Sequence, residues 1–290
     1  MFDSIAILGP GLLGASLLQA AKARGLCRRT AVWSRRPETR LKCEGQPWCD
    51  NVFSDPGETV AASDFVIACT PVDTIVPLLA QISSHLRPGT LVTDVGSTKS
   101  LICRHARAAL PPNVAFVGSH PMAGSEKTGL EHADPELFLG RACFVTPLVD
   151  TPAADVERVA RFWKNLGMEV ATTSPENHDE IVAHLSHLPH LLASVLCAYL
   201  STRNPEWIHF AGPGLRDTTR VAAGDPALWK AITLQNREEI LRALTGFEHE
   251  LHQLRAALHN DQPFALQHLL ERGRDFRLRL RPLGEKPKEC

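Results

Sequence analysis

The chain reads as two halves of different class: an α/β half over residues 1–173, built on a parallel sheet with helices on both faces, and an all-α half over residues 174–290. Three observations predict this. Short apolar runs alternate with amphipathic segments up to about residue 170. A glycine-rich turn, Gly9-Pro10-Gly11-Leu12-Leu13-Gly14, joins the first apolar run to the first helical pattern. Beyond Ser174 only helical periodicity remains.

Each element has its own signal. Ile5–Leu8 is a short β-rich run, and Leu13, Leu17 and Ala21 then recur at the spacing of one helix face over residues 12–24. Thr30–Trp33 and Phe65–Cys69 read as strands, and Val72–Leu86 follows as a periodic helix. Leu91–Val95 is a strand, followed by a helix from about Thr98 to Leu110. Val114–Val117 and Cys143–Pro147 are further strands of the parallel sheet, and residues 152–166 are helical. In the second half, Pro175–Leu200, Leu215–Ala223, Pro226–Leu258 and Gln262–Leu280 read as helices. Asp225-Pro226 and Asp261 before Gln262-Pro263 place a capping residue and a proline at helix starts, where both are favoured. As one helix, Pro226–Leu258 would run about 50 Å, with apolar positions spread over more than a narrow stripe. That pattern predicts burial against a second copy of the chain, hence a homodimer through the C-terminal helices. Trp229 and Phe247 are expected in the core.

The 290 residues carry 31 basic and 32 acidic side chains, so bulk charge favours neither a nucleic-acid nor a membrane-surface partner. Apolar stretches are interrupted by charges, Gly or Pro before 18 residues, so no transmembrane helix is expected. The N-terminus lacks a basic n-region, so no signal peptide is expected. Eight cysteines occur without a CxxC pair. Free thiols in a reducing, cytoplasmic compartment are the expectation, with no metal site.

The glycine turn follows a strand and opens a helix, the context a Rossmann-type dinucleotide site requires. Gly9 suits the tight turn, Gly11 the close approach of a pyrophosphate, and Gly14 close helix–strand packing. The amides of Leu12, Leu13 and Gly14 then lie at a helix N-terminus, where an anion is stabilised. An NAD site has an acidic residue about 20 residues further on. Here that position is Ser34, followed by Arg35 and Arg36. A hydroxyl beside two guanidinium groups suits a 2′-phosphate, so NADP is predicted over NAD.

Two further strand ends carry polar clusters: Asp94-Val95-Gly96-Ser97-Thr98-Lys99, and the stretch from Gly118 to Gly129, which contains His120, Glu126 and Lys127. Both should emerge at the carboxyl edge of the sheet, where ligands bind in open α/β folds. A histidine there suits a general base working near neutral pH.

With DVGSTK at 94–99, GSHPMAGSEKTG at 118–129, SHLPH at 186–190 and GLRDTTRVAAGDPALW at 214–229, the chain resembles the prephenate/arogenate dehydrogenases of tyrosine biosynthesis. The resemblance runs from the glycine turn to about residue 260. It implies a Rossmann domain followed by an all-helical dimerisation domain, and oxidative decarboxylation of prephenate and/or arogenate with hydride transfer to NADP. It also implies site roles. His120 is the catalytic base at the ring hydroxyl, and Ser97 helps orient that hydroxyl. Glu126 organises the pocket. His187 and His190 share one helix face. Arg220 holds a substrate carboxylate, and Arg216 and Asp217 lie where the partner subunit's site is within reach. Thr70-Pro71-Val72 forms the loop against the cofactor. With the glycine turn at residue 9 and about thirty residues after position 260, neither the chorismate mutase domain nor the C-terminal regulatory domain that some members carry is expected. Two other readings of the same fold are an NADP-dependent β-hydroxyacid dehydrogenase and a non-enzymatic NADP sensor. The first needs a lysine on the opening helix of the second half, and none occurs between Lys164 and Lys230.

Overall fold

The computed structural model describes residues 2–124 and 129–280. Its first half is a six-stranded parallel sheet in the order β3-β2-β1-β4-β5-β6. The strands are β1 (Phe2–Leu8), β2 (Cys27–Trp33), β3 (Asn51–Phe53), β4 (Phe65–Ala68), β5 (Leu91–Asp94) and β6 (Ala115–Phe116). The helices between them are α1 (Leu12–Ala23), α2 (Pro37–Cys43), α3 (Pro56–Val60), α4 (Val72–Ile82) and α5 (Ser100–Ala109). β4 is continuously apolar, and β1 is apolar from Ile5 to Leu8, because helices cover both their faces. Phe2 stacks on Phe65, with ring centroids 4.1 Å apart. Leu8 of β1 pairs with Trp33 of β2 and Ala68 of β4, and Ala68 pairs with Asp94 of β5. Four carboxyl ends therefore align at one edge. Chain order reverses between β1 and β4, which opens a crevice at that edge.

The chain then leaves this sheet. After Val117 it enters a second sheet, order β7-β8-β9, made of β7 (Gly118–Pro121), β8 (Ala142–Thr146) and β9 (Glu169–Thr172). β7 and β8 are antiparallel, β8 and β9 parallel, and α6 (Ala153–Asn165) joins the last two. The expected strand at Cys143–Pro147 thus belongs to a small mixed sheet, not the parallel one. β7 is held to the large sheet by side chains. Ser119 Oγ donates to the Asp94 carbonyl at 2.6 Å, and the Ser119 amide donates to Asp94 Oδ1 at 3.1 Å.

Beyond Thr172 the described chain is helical. Ser174 caps α7 (Pro175–Val182) by accepting from the Asn177 amide. A π-helical turn over Ala183–His187 leads into α8 (Leu188–Ser201). The remaining helices are α9 (Pro213–Thr219), α10 (Pro226–Gln235), α11 (Arg237–His259) and α12 (Pro263–Arg279). The long helix expected over Pro226–Leu258 is broken at Asn236, whose backbone (φ −107°, ψ 29°) is not helical and whose side chain turns inward. The break lets α10 lie on the first half: Ala231 and Ile232 join the core formed by Ile75, Leu79 and Ile102 of α4 and α5. The helical run Pro175–Ser201 is long and apolar enough to cross a membrane by length and composition alone, a test that the core helix of a soluble protein also passes. In the fold it carries buried His178, Asp179, His187 and His190.

Candidate active site

The glycine turn sits at the β1 carboxyl end. Gly9 has φ +101°, and a Cβ there would stand 2.9 Å from the Cys69 carbonyl oxygen. A Cβ on Gly14 would stand 2.4 Å from the Gly9 carbonyl oxygen. Around Gly11 nothing lies within 4 Å of the Cβ position, so no contact within the protein requires glycine there. That combination suits a cradle for a phosphate group: two glycines are needed by the turn, and the third keeps the approach open. Leu12 and Leu13 open α1, and no side chain caps its N-terminus. Across the crevice, Thr70 Oγ1 is buried without a hydrogen-bond partner, beside Pro71 at the start of α4. A buried hydroxyl without a partner is costly, and a polar ligand in the crevice would satisfy it. At the β2 end, Ser34 is buried and its Oγ accepts from the Arg36 amide at 3.3 Å. The Arg35 and Arg36 side chains are exposed, and Arg40 donates to the Ser34 carbonyl at 2.7 Å.

The second cluster is built where the two halves meet. Asp94 ends β5, and its carboxylate accepts from the Gly96 amide at 2.8 Å and pairs with the fully buried Lys99. This bends the Asp94–Lys99 loop over the sheet edge and leaves Ser97 half-buried at its crest. Thr98 donates to Gln235 of α10 at 2.7 Å. The Lys99 and Ser100 amides donate to the two carboxylate oxygens of Asp179, at 2.7 and 2.8 Å. Asp179 Oδ1 lies 2.8 Å from His178 Nδ1, and His178 Nε2 lies 2.9 Å from His120 Nδ1. Asn236 donates to the Asp179 carbonyl at 2.8 Å and stands 3.1 Å from His187 Nδ1. His187 Nε2 is buried without a partner. His190 stacks flat on Trp229 at 3.4 Å between centroids, so Trp229 lines this cluster as well as packing on the core.

Burial governs the electrostatics. Desolvation, helped by His178, Lys99 and His187, pushes His120 well below the ordinary histidine value, so its ring is neutral near pH 7. Burial likewise lowers His178, against the Asp179 hydrogen bond, and lowers His187 to about 4. Burial alone would raise the Asp179 carboxyl, but the His178 hydrogen bond and the Ser100 amide outweigh it and hold the group below its usual range. A neutral imidazole chained to an ionised carboxylate can accept a proton.

The expected site residues do not all gather in this cluster. His120, His187 and His190 are buried in it, with Ser97 at its edge. Arg216 on α9 and Arg220 just after it are exposed, with no ion-pair partner among the described residues. Glu126 lies outside the described residues. His184 is exposed, whereas His187 and His190 are buried. Phe247 packs against the core formed by Ala183, Ile240 and Ala243, as expected.

Sequence reasoning missed His178, Asp179, Asn236 and the contact of Trp229. At about 100° per residue, nine positions put His178 and His187 on opposite sides of an ideal helix. The π turn absorbs one residue and brings them to roughly 80° apart. Pro189 is the available signal, since it has no N–H to bond the Leu185 carbonyl in a regular helix.

Comparison with known proteins places this geometry in context. Residues 19–172 match the family profile described as prephenate dehydrogenase, nucleotide-binding domain, and residues 174–272 match prephenate dehydrogenase, dimerization domain. The first match begins inside α1, so the glycine turn rests on its own geometry. A cyclohexadienyl dehydrogenase of Zymomonas mobilis is 33% identical over 277 residues, 93% of this chain and 94% of that one. The prephenate dehydrogenase of A. aeolicus, solved with hydroxyphenyl propionate and NAD+, superposes with a TM-score of 0.90 at 29% identity, covering 96% of this chain and 98% of that one. The Synechocystis arogenate dehydrogenase superposes with a TM-score of 0.83, also at 29% identity, covering 94% and 98%.

Proposed function

The chain belongs to the prephenate dehydrogenase family, and from that premise we propose how its residues carry out the oxidative decarboxylation of prephenate or arogenate. The cradle of Gly9, Gly11 and Gly14, with the Leu12 and Leu13 amides, holds the pyrophosphate of a nicotinamide dinucleotide, and Thr70 and Pro71 flank it. Ser34, Arg35 and Arg36 hold a 2′-phosphate, which makes NADP the preferred form. When bound, the cofactor supplies the hydride acceptor. His120 takes the proton of the ring hydroxyl, and Ser97 orients that hydroxyl. Arg220 binds a substrate carboxylate, because a guanidinium offers paired charge-assisted bonds. His187 and His190 line the ring pocket, Glu126 helps organise it, and Arg216 reaches it from the same or the partner subunit. The working form is a homodimer, in keeping with the dimerization-domain match, and its location is cytoplasmic, in keeping with the free thiols.

One observation carries this reading: His120, a buried histidine of the nucleotide-binding half, bonds His178 of the helical half, which in turn bonds Asp179. The test is a four-way assay, each substrate with each cofactor, following reduced nicotinamide. Turnover with NADP on at least one of the two substrates supports the reading, and no turnover in any arm contradicts it. Arg35→Ala with Arg36→Ala should raise the KM for NADP by about tenfold or more, the scale of lost bonds to a charged group, and leave that for NAD alone. An equal effect on both cofactors would remove these residues from the 2′ site.

A further inference from the structure

His178 and Asp179 sit behind the base: His178 bonds His120, and Asp179 bonds the Lys99 and Ser100 amides beside the loop that carries Ser97. Both are buried, at 0% and 3% exposure. Buried polar groups of this kind are costly unless each hydrogen bond is satisfied, and here the set is closed. Asp179 Oδ1 accepts from the Lys99 amide and faces His178 Nδ1, and Oδ2 accepts from the Ser100 amide. Its carbonyl accepts from Asn236. Phe144 packs edge-on to the His178 ring, with centroids 5.1 Å apart.

We propose that His178 and Asp179 form a positioning relay that holds His120 in its Nδ1–H form and leaves Nε2 as its one unprotonated nitrogen. An ionised carboxylate only accepts, so the nitrogen facing it, His178 Nδ1, carries the hydrogen. In neutral His178 the other nitrogen, Nε2, is then an acceptor. The atom 2.9 Å from it, His120 Nδ1, must donate. Neutral His120 therefore has its lone pair at Nε2. Two backbone amides at the start of α5 set the carboxylate, so the tautomer of the base is fixed by the docking of α7 on α5. Asp179 stays ionised throughout. It orients and stabilises, as the buried carboxylate does behind the histidine of a serine protease, and takes no proton. The proposal rests on His120 being the base.

Two measurements test it. The first uses the wild-type full-length protein with NADP bound, its histidines labelled with 15N, and reads the His120 tautomer by NMR, assigned by its loss in His120→Asn. The relay predicts protonation at Nδ1; protonation at Nε2 overturns it, whatever the activity. The second is kinetic. His178→Phe keeps the volume and removes both bonds, and should lower kcat by about 10²-fold with KM within about twofold. His178→Gln offers an acceptor to His120 and a donor to Asp179, and should recover at least about tenfold of that loss. Equal kcat in His178→Phe and wild type, with cofactor binding intact, overturns the relay. If no substrate turns over in any form, the functional reading fails on its own, and the tautomer measurement still decides the relay.

Discussion

A Cβ on Gly14 would stand 2.4 Å from the Gly9 carbonyl oxygen, whereas one on Gly11 would meet nothing within 4 Å. The two positions therefore respond differently to the same change. Gly14→Ala forces backbone apart and should cost about 1–3 kcal/mol of stability, read as a lowered thermal midpoint. Gly11→Ala should change stability by less than about 1 kcal/mol, because alanine is only a poorer N-cap, while raising the cofactor KM. Equal thermal shifts in the two variants would contradict this division of roles. Both glycines were legible in the sequence, because strand, turn and helix are contiguous there. His178 and Asp179 were not. Their importance arises from a contact between β7 and α7, 58 residues apart, which no local pattern encodes.

Asn236 shows the same limit for elements. The periodicity of residues 226–258 fits one helix, and only the inward turn of the Asn236 side chain explains why two form. Its amide serves the Asp179 carbonyl and His187 Nδ1 together. Asn236→Ala leaves His187 Nδ1 buried without its partner and removes one of the two donors to the Asp179 carbonyl, which keeps the Ala183 amide; it should cost about 1–3 kcal/mol, measured by denaturant unfolding, with a fall in turnover. An unchanged unfolding midpoint would show that the break in the helix does not depend on these bonds. The small sheet was missed for a related reason. β7 reads GSHP, a loop-like composition, and its strand character comes from pairing with β8 and from Asp94, which holds Ser119. The parallel character of the large sheet was legible, because its apolar strands alternate with helices along the chain.

At the scale of the molecule, the two halves share polar groups that must stay neutral. Burial depresses His120, His178, His187 and His190 below the ordinary value. In the unfolded chain these histidines protonate near about pH 6.5. Below that pH the unfolded state binds more protons, so stability falls as pH falls, from about 6.5 down to the folded value, which for His187 is about 4. Above that window these groups add no pH dependence. The thermal midpoint should therefore drop between about pH 7 and pH 5, and His187→Gln should make the drop shallower. A midpoint flat across that range would contradict the buried neutral cluster. The helical half leaves Leu234, Phe264, Leu270, Phe276 and Leu278 exposed on one chain. An apolar surface of this extent suits a homodimer, and sedimentation should report twice the chain mass.

Steady-state turnover of His120→Asn, beside wild type and with cofactor affinity measured on both, reads whether His120 takes the hydroxyl proton as the substrate is oxidised. With that role, kcat falls about 10²-fold or more while cofactor affinity is unchanged. A variant that turns over as wild type does would remove His120 from the mechanism.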